Sequence, residues 1–173
     1  ILALLCALGL ATESQAASNI PLSDRLTPDR LEQVFPGADY ALEIDGRPAA
    51  AEVVRDGDYV GYVFSVGDLA EPLGYGASPF DILLGIDLKA RVTGAALITE
   101  DEPMARNLGG RAALEAALAG LAGLDVLTAT PTVPDGYGGR GEASVLVMLD
   151  AIYRAGREVA VSRNLLGPGS REG

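Results

Sequence analysis

Tyr59-Val60-Gly61-Tyr62-Val63-Phe64-Ser65, then Phe80 to Leu88 (FDILLGIDL) and Arg91 to Thr99 (RVTGAALIT), decide the fold of this chain. Each run is rich in β-branched, aromatic and aliphatic residues and is bounded by turn chemistry, the pattern of a strand. Asp56-Gly57 stands before the first run, Gly74, Gly76 and Pro79 precede the second, and Lys89-Ala90 joins the second to the third. Working outward, Ala38 to Ile44 and Ala51 to Arg55 read as two more strands separated by Asp45-Gly46-Arg47-Pro48. An Asp-Gly pair between two such runs is a strong hairpin signal. Leu69 to Ser78 reads as a loop.

Helices flank the strands. Thr27 caps a short amphipathic helix with Pro28 at its first position, apolar Leu31, Val34 and Phe35 three and four apart, and Pro36-Gly37 as its stop. Arg111 to Leu121 is rich in Ala and Leu and is closed by Gly120 and Gly123. Thr128 to Gly141 is a Pro- and Gly-laden loop. Glu142 to Val161 then places Val145, Met148, Leu149, Ile152 and Val159 on one apolar stripe, with Asp150, Arg154, Arg157 and Glu158 opposite. Strands in the middle with helices around them predict an α+β domain built on a mainly antiparallel sheet.

Composition narrows the chemistry. The 173 residues carry a formal charge of −11, no His, no Trp and one cysteine, Cys6. Without His and with a lone Cys, the chain can build no zinc finger, disulfide framework or Ser-His-Asp triad of its own. The acidic balance argues against a phosphate-neutralising nucleic-acid surface. A bound metal would be a hard ion on oxygen ligands, and a redox role needs a cofactor.

Ile1 to Leu10 (ILALLCALGL) is uncharged, too short to span a bilayer, and the length of a signal-peptide core. Ser14 and Ala16 fall at the −3 and −1 positions of a cleavage after Ala16. The expected organisation is a signal peptide over 1–16, a domain over 17–163 and a tail over 164–173, exported to the periplasm. A buried N-terminal element is the alternative for the first segment.

Gly136-Tyr137-Gly138-Gly139-Arg140-Gly141 fits G-x-G-x-x-G ahead of a helix. Pro131 and Pro134 argue against the strand that a dinucleotide site requires there, and Glu158 lies mid-helix. What remains is a Gly-rich loop feeding a helix N-terminus, whose free N–H groups and positive dipole end suit a phosphate. A flexible entry to a helix explains the same residues. Glu142 favours the dipole and repels a phosphate.

The order of LEQVFPGA (31–38), Gly61-Tyr62-Val63-Phe64-Ser65, the run Gly74-Tyr75-Gly76-Ala77-Ser78-Pro79-Phe80-Asp81-Ile82-Leu83-Leu84-Gly85-Ile86-Asp87, then Gly94-Ala95-Ala96-Leu97 and Glu102-Pro103 resembles a known family. It is similar to the N-terminal periplasmic FMN-binding domain of NosR-type membrane flavoproteins of nitrous oxide respiration. That domain is shared with subunits of the Rnf and sodium-pumping quinone reductase complexes. The resemblance spans roughly residues 26 to 163. It implies an FMN-binding fold, electron relay rather than stand-alone catalysis, and FMN joined to a Thr in an S-G-A-T motif by a flavin transferase. It also implies a membrane-anchored remainder of the NosR-like protein or nitrous oxide reductase as partners. The expected cofactor residues are Tyr75, Gly76, Glu102, Glu142 and Ser144. Aligned without gaps, S-G-A-T falls on Gly139-Arg140-Gly141-Glu142; a shift of two residues offers Ser144 as the hydroxyl. Where relatives tend to carry His ahead of Glu-Pro, this chain has Glu100 and Asp101.

Tyr75 between two glycines is placed to lie flat against an isoalloxazine ring; covering the end of the sheet together with Phe80 is the plainer role. Asp81 and Asp87 read as the solvated face of a strand. Glu102-Pro103 reads as a turn, near the flavin in the family. Glu100, Asp101 and Glu102 are either a hard-cation site or a solvated acidic run. A flavin-free docking or sensory module of the same fold is the alternative function, favoured by the missing Thr.

Overall fold

A computed structural model describes residues 20–70, 80–99, 102–133 and 139–165. The elements in chain order are α1 (Leu22–Arg25), α2 (Pro28–Val34), β1 (Tyr40–Ile44), β2 (Ala50–Arg55), β3 (Asp58–Ser65), α3 (Val66–Ala70), β4 (Asp81–Asp87), β5 (Val92–Thr99), α4 (Glu102–Asn107), α5 (Arg111–Ala119) and α6 (Arg140–Ser162). The five strands form one sheet in the order β1-β2-β3-β4-β5, each antiparallel to its neighbour. This is the α+β architecture expected from the sequence.

Local chemistry sets the turns. Asp56 and Gly57 sit at φ 52° and 81° between the paired residues Arg55 and Asp58, the left-handed geometry that a two-residue hairpin demands. At the β4–β5 turn the Asp87 carboxylate accepts from the Lys89 and Arg91 amides at 2.8 and 2.9 Å, while Ala90 takes φ 59°. Asp87 therefore staples the turn as well as meeting solvent.

Both faces of the sheet are covered, which is why β4 is a nearly unbroken apolar run. Phe64, Ile82, Leu84 and Ile86 point to one side and pack with Leu114, Leu118, Val145, Met148, Ile152 and Val159. Val53, Val63, Leu83 and Ala96 point to the other and pack under Leu22, Leu31, Val34 and Phe35. The five residues of the predicted α6 stripe are all buried. On its outer face Arg154 Nε pairs with Asp150 at 3.0 Å. Thr27 caps α2, accepting from the Arg30 amide.

Gly85 and Gly94 are cross-strand partners beneath α2. A Cβ on either would lie 2.3 Å from a carbonyl oxygen of α2, that of Val34 for Gly85 and that of Gln33 for Gly94. Beside them Thr93 Oγ1 donates to the Val34 carbonyl at 2.6 Å, satisfying one of the acceptors that a helix end leaves open.

The structure amends several boundaries. Periodicity did not reveal α1, α3 and α4, which have only four, five and six residues. Leu69 and Ala70, expected in a loop, end α3, and the 102–103 turn is the start of α4. Arg140 and Gly141, expected in a loop, open α6. Arg91 makes an isolated bridge to Asp125 instead of starting β5. The predicted signal peptide and most of the predicted tail lie outside the described residues. No helix among the described residues is long and apolar enough to cross a membrane.

Candidate functional site

Three of the expected residues fall at the starts of two touching helices. Glu102 opens α4, and its side chain lies outside the description. Glu142 stands in the first turn of α6, exposed to solvent, where a carboxylate suits the positive helix end. Ser144 is fully buried, and its hydroxyl accepts from Asn107 Nδ2, at the end of α4, at 3.4 Å. That contact and the packing of α4 on α6 bring the two helices together. Tyr75 and Gly76 lie outside the described residues, as do Glu100 and Asp101. The described ends of that stretch are α3, which packs on both α6 and β4, and Phe80, which is buried.

The entry to α6 offers backbone amides to an anion, against the repulsion of the exposed Glu142 carboxylate in its first turn. Gly139 is its N-cap at φ 58°, and no side chain caps it. Among the described residues, no side chain of the N-cap accepts from the first-turn N–H groups of this 23-residue helix. Ester formation fits these residues less well. It requires an accessible hydroxyl, whereas Ser144 Oγ is buried on Asn107 and Glu142 offers a carboxylate. The described residues suit a phosphate held by backbone amides and do not suit a phosphoester.

Sequence reasoning missed a polar cluster beside this end of the sheet. Arg25, only 5% exposed, pairs through Nη2 with Asp68 and through Nη1 with Asp81 at 2.9 Å. Its Nη1 also reaches Asp68 Oδ1 at 3.2 Å. Ser65 Oγ donates to Asp81 Oδ1 at 2.6 Å, and the Gly67 amide donates to the same oxygen at 2.9 Å. Burial alone would lower the Arg25 pKa, but the hydrogen bonds and charges of Asp68 and Asp81 outweigh it and raise it. Asp81, expected on a solvated face, is instead the hub that ties α1, α3 and β4 together. An acidic residue following an aromatic strand start was the only trace of this in the sequence.

A separate groove of about 670 Å³ runs along β5 between α2 and α5, lined by Arg30, Thr93, Gly94, Ala96, Arg111 and Glu115 among others. None of the five expected residues lines it. Three of its charged residues are engaged: Arg111 Nε pairs with Glu115 at 2.9 Å, and Arg30 Nη1 donates to the Arg25 carbonyl at 3.0 Å. Among the described residues no group of three acidic, Cys or His side chains is placed to hold a metal.

No family model matches the chain. It is similar to Protein NirI of Paracoccus denitrificans (strain Pd 1222), with 30% identity over 145 residues. The match covers 80% of this chain and 21% of the relative, so the chain spans about a fifth of the protein that it resembles.

Proposed function

We propose that this chain is an exported FMN-binding domain that relays electrons within a longer, NosR-like membrane protein of denitrification. The observation that carries the reading is the uncapped start of α6 at Gly139, set against α4 at the end of the sheet where the resemblance expects the cofactor. The similarity to NirI over most of the chain supports the same direction. FMN, when bound, would supply one- and two-electron chemistry that a chain without His and with one Cys lacks. The amides at the start of α6 would bind the phosphate, and buried Ser144 with half-buried Asn107 would hold the two helices in register around it. Attachment is noncovalent in this reading, because the exposed residue in the acceptor position, Glu142, cannot form the ester. The partner proposed is the membrane-anchored remainder of a NosR-like protein or nitrous oxide reductase, with a flavin transferase only if Ser144 becomes accessible.

The second reading, a flavin-free docking or sensory module, is favoured by that same Glu142. Co-expression with a flavin transferase in the periplasm separates the two. The native protein should absorb visible light as a flavoprotein, and the denatured chain should have the mass of the polypeptide alone. A colourless protein that also refuses added FMN would sink the electron-relay reading. Flavin retained after denaturation and mapped to Ser144 would overturn the noncovalent attachment.

A further inference from the structure

The far end of α6 carries a second feature. A groove of about 620 Å³ is lined by Arg47, Pro48, Arg154, Arg157, Glu158, Val161 and Ser162. Arg47, Arg154 and Arg157 line it with Glu158, and Arg154 is paired with Asp150 at 3.0 Å, which leaves Arg47 and Arg157 beside the one carboxylate of the lining on a chain whose formal charge is −11. The wall is braced. Arg163 Nη2 donates to the Pro48 carbonyl at 3.0 Å, and its guanidinium lies 5.6 Å from the centre of the Tyr62 ring, fixing the β1–β2 turn against the end of the helix. Val161 sits among the arginines with 62% of its surface exposed.

We infer that this groove is a docking surface for an acidic segment of a protein partner, one that presents carboxylates around an apolar side chain. Guanidinium forks match carboxylates in two-point geometry, and an exposed apolar residue ringed by arginines is the anatomy of an interface. Charge complementarity selects the partner: a basic groove on an acidic domain repels like domains everywhere else and admits an acidic strand or helix here. With 23 residues, α6 is roughly 33 Å long. The groove's α6 wall begins at Arg154, roughly 21 Å along the helix from Arg140, so docking there does not touch the start of α6.

The test titrates the full chain with a synthetic acidic hexapeptide carrying one central leucine, followed by calorimetry. Saturable binding that weakens with added salt is expected. The double variant Arg47→Gln/Arg157→Gln, which leaves the Arg154–Asp150 pair in place, should lose roughly tenfold in affinity. Val161→Ser, and the peptide with glycine in place of leucine, should each lose a smaller factor, and Arg91→Gln at the far turn should change nothing. Circular dichroism confirms that the exposed substitutions leave the fold intact. The proposal fails if the double variant binds as well as the parent, if the chain ignores the peptide, or if it binds only vesicles of anionic lipid.

Discussion

Arg25 holds two carboxylates that lie 43 and 56 residues away in sequence. Removing the guanidinium leaves Asp68 and Asp81 facing each other in a mostly buried site, so Arg25→Met should destabilise the domain by about 3 kcal/mol. Urea unfolding measures this, and adding Asp68→Asn and Asp81→Asn should restore much of the loss. Tyr59 illustrates the opposite case, a half-buried side chain whose buried hydroxyl finds no hydrogen-bond partner among the described residues. It stacks edge-on to Tyr62 with ring centres 5.2 Å apart. Burial first, then Tyr62 and Glu52, push its pKa above the ordinary phenol value, against a weaker pull from Arg163. The folded chain thus keeps a proton that the unfolded chain releases above about pH 10. Its contribution to stability is intact below that pH and falls as the pH rises further. Between pH 10 and 11, Tyr59→Phe should lose less stability than the parent. Neither environment was legible in the sequence, because both come from side chains brought together over long separations.

At the scale of elements, legibility followed locality. Thr27-Pro28 and Asp56-Gly57 were readable because cap and turn chemistry acts over three or four residues, and the structure places both as expected. The α6 stripe was readable because 23 residues give several turns of periodicity. In contrast, α1, α3 and α4 are too short to show a 3.6-residue period, and tertiary contacts such as the Arg25 cluster hold them. The Gly85–Gly94 pair is intermediate. Both glycines were visible within strands, but the close approach of α2 was not. Gly94→Ala would force its new methyl against the Gln33 carbonyl, a backbone atom that cannot swing aside. It should cost roughly 1–3 kcal/mol in thermal or urea unfolding. Gly110→Ala, which meets nothing within 4 Å, should cost only the strain of φ 103°.

At the scale of the molecule, α6 joins two regions of different character. Its start has no side-chain cap among the described residues and lies beside α4, and its end forms one wall of an arginine-lined groove. The sheet and the sequence order of its strands were legible; the candidate site was legible only in part. Glu142 and Ser144 lie in the first turns of α6 and Glu102 opens α4, whose other end touches Ser144, while nothing in the sequence indicated that the Ser144 hydroxyl would be buried on Asn107. If α6 holds FMN as proposed, its first-turn amides bind the flavin through its phosphate. The most direct measurement titrates the purified chain, made without a flavin transferase, with FMN and with riboflavin, following flavin fluorescence. The claim predicts saturable quenching with FMN and at least roughly tenfold weaker binding of riboflavin, which has no phosphate to place on the helix amides. Equal binding of the two, or binding of neither, would contradict it.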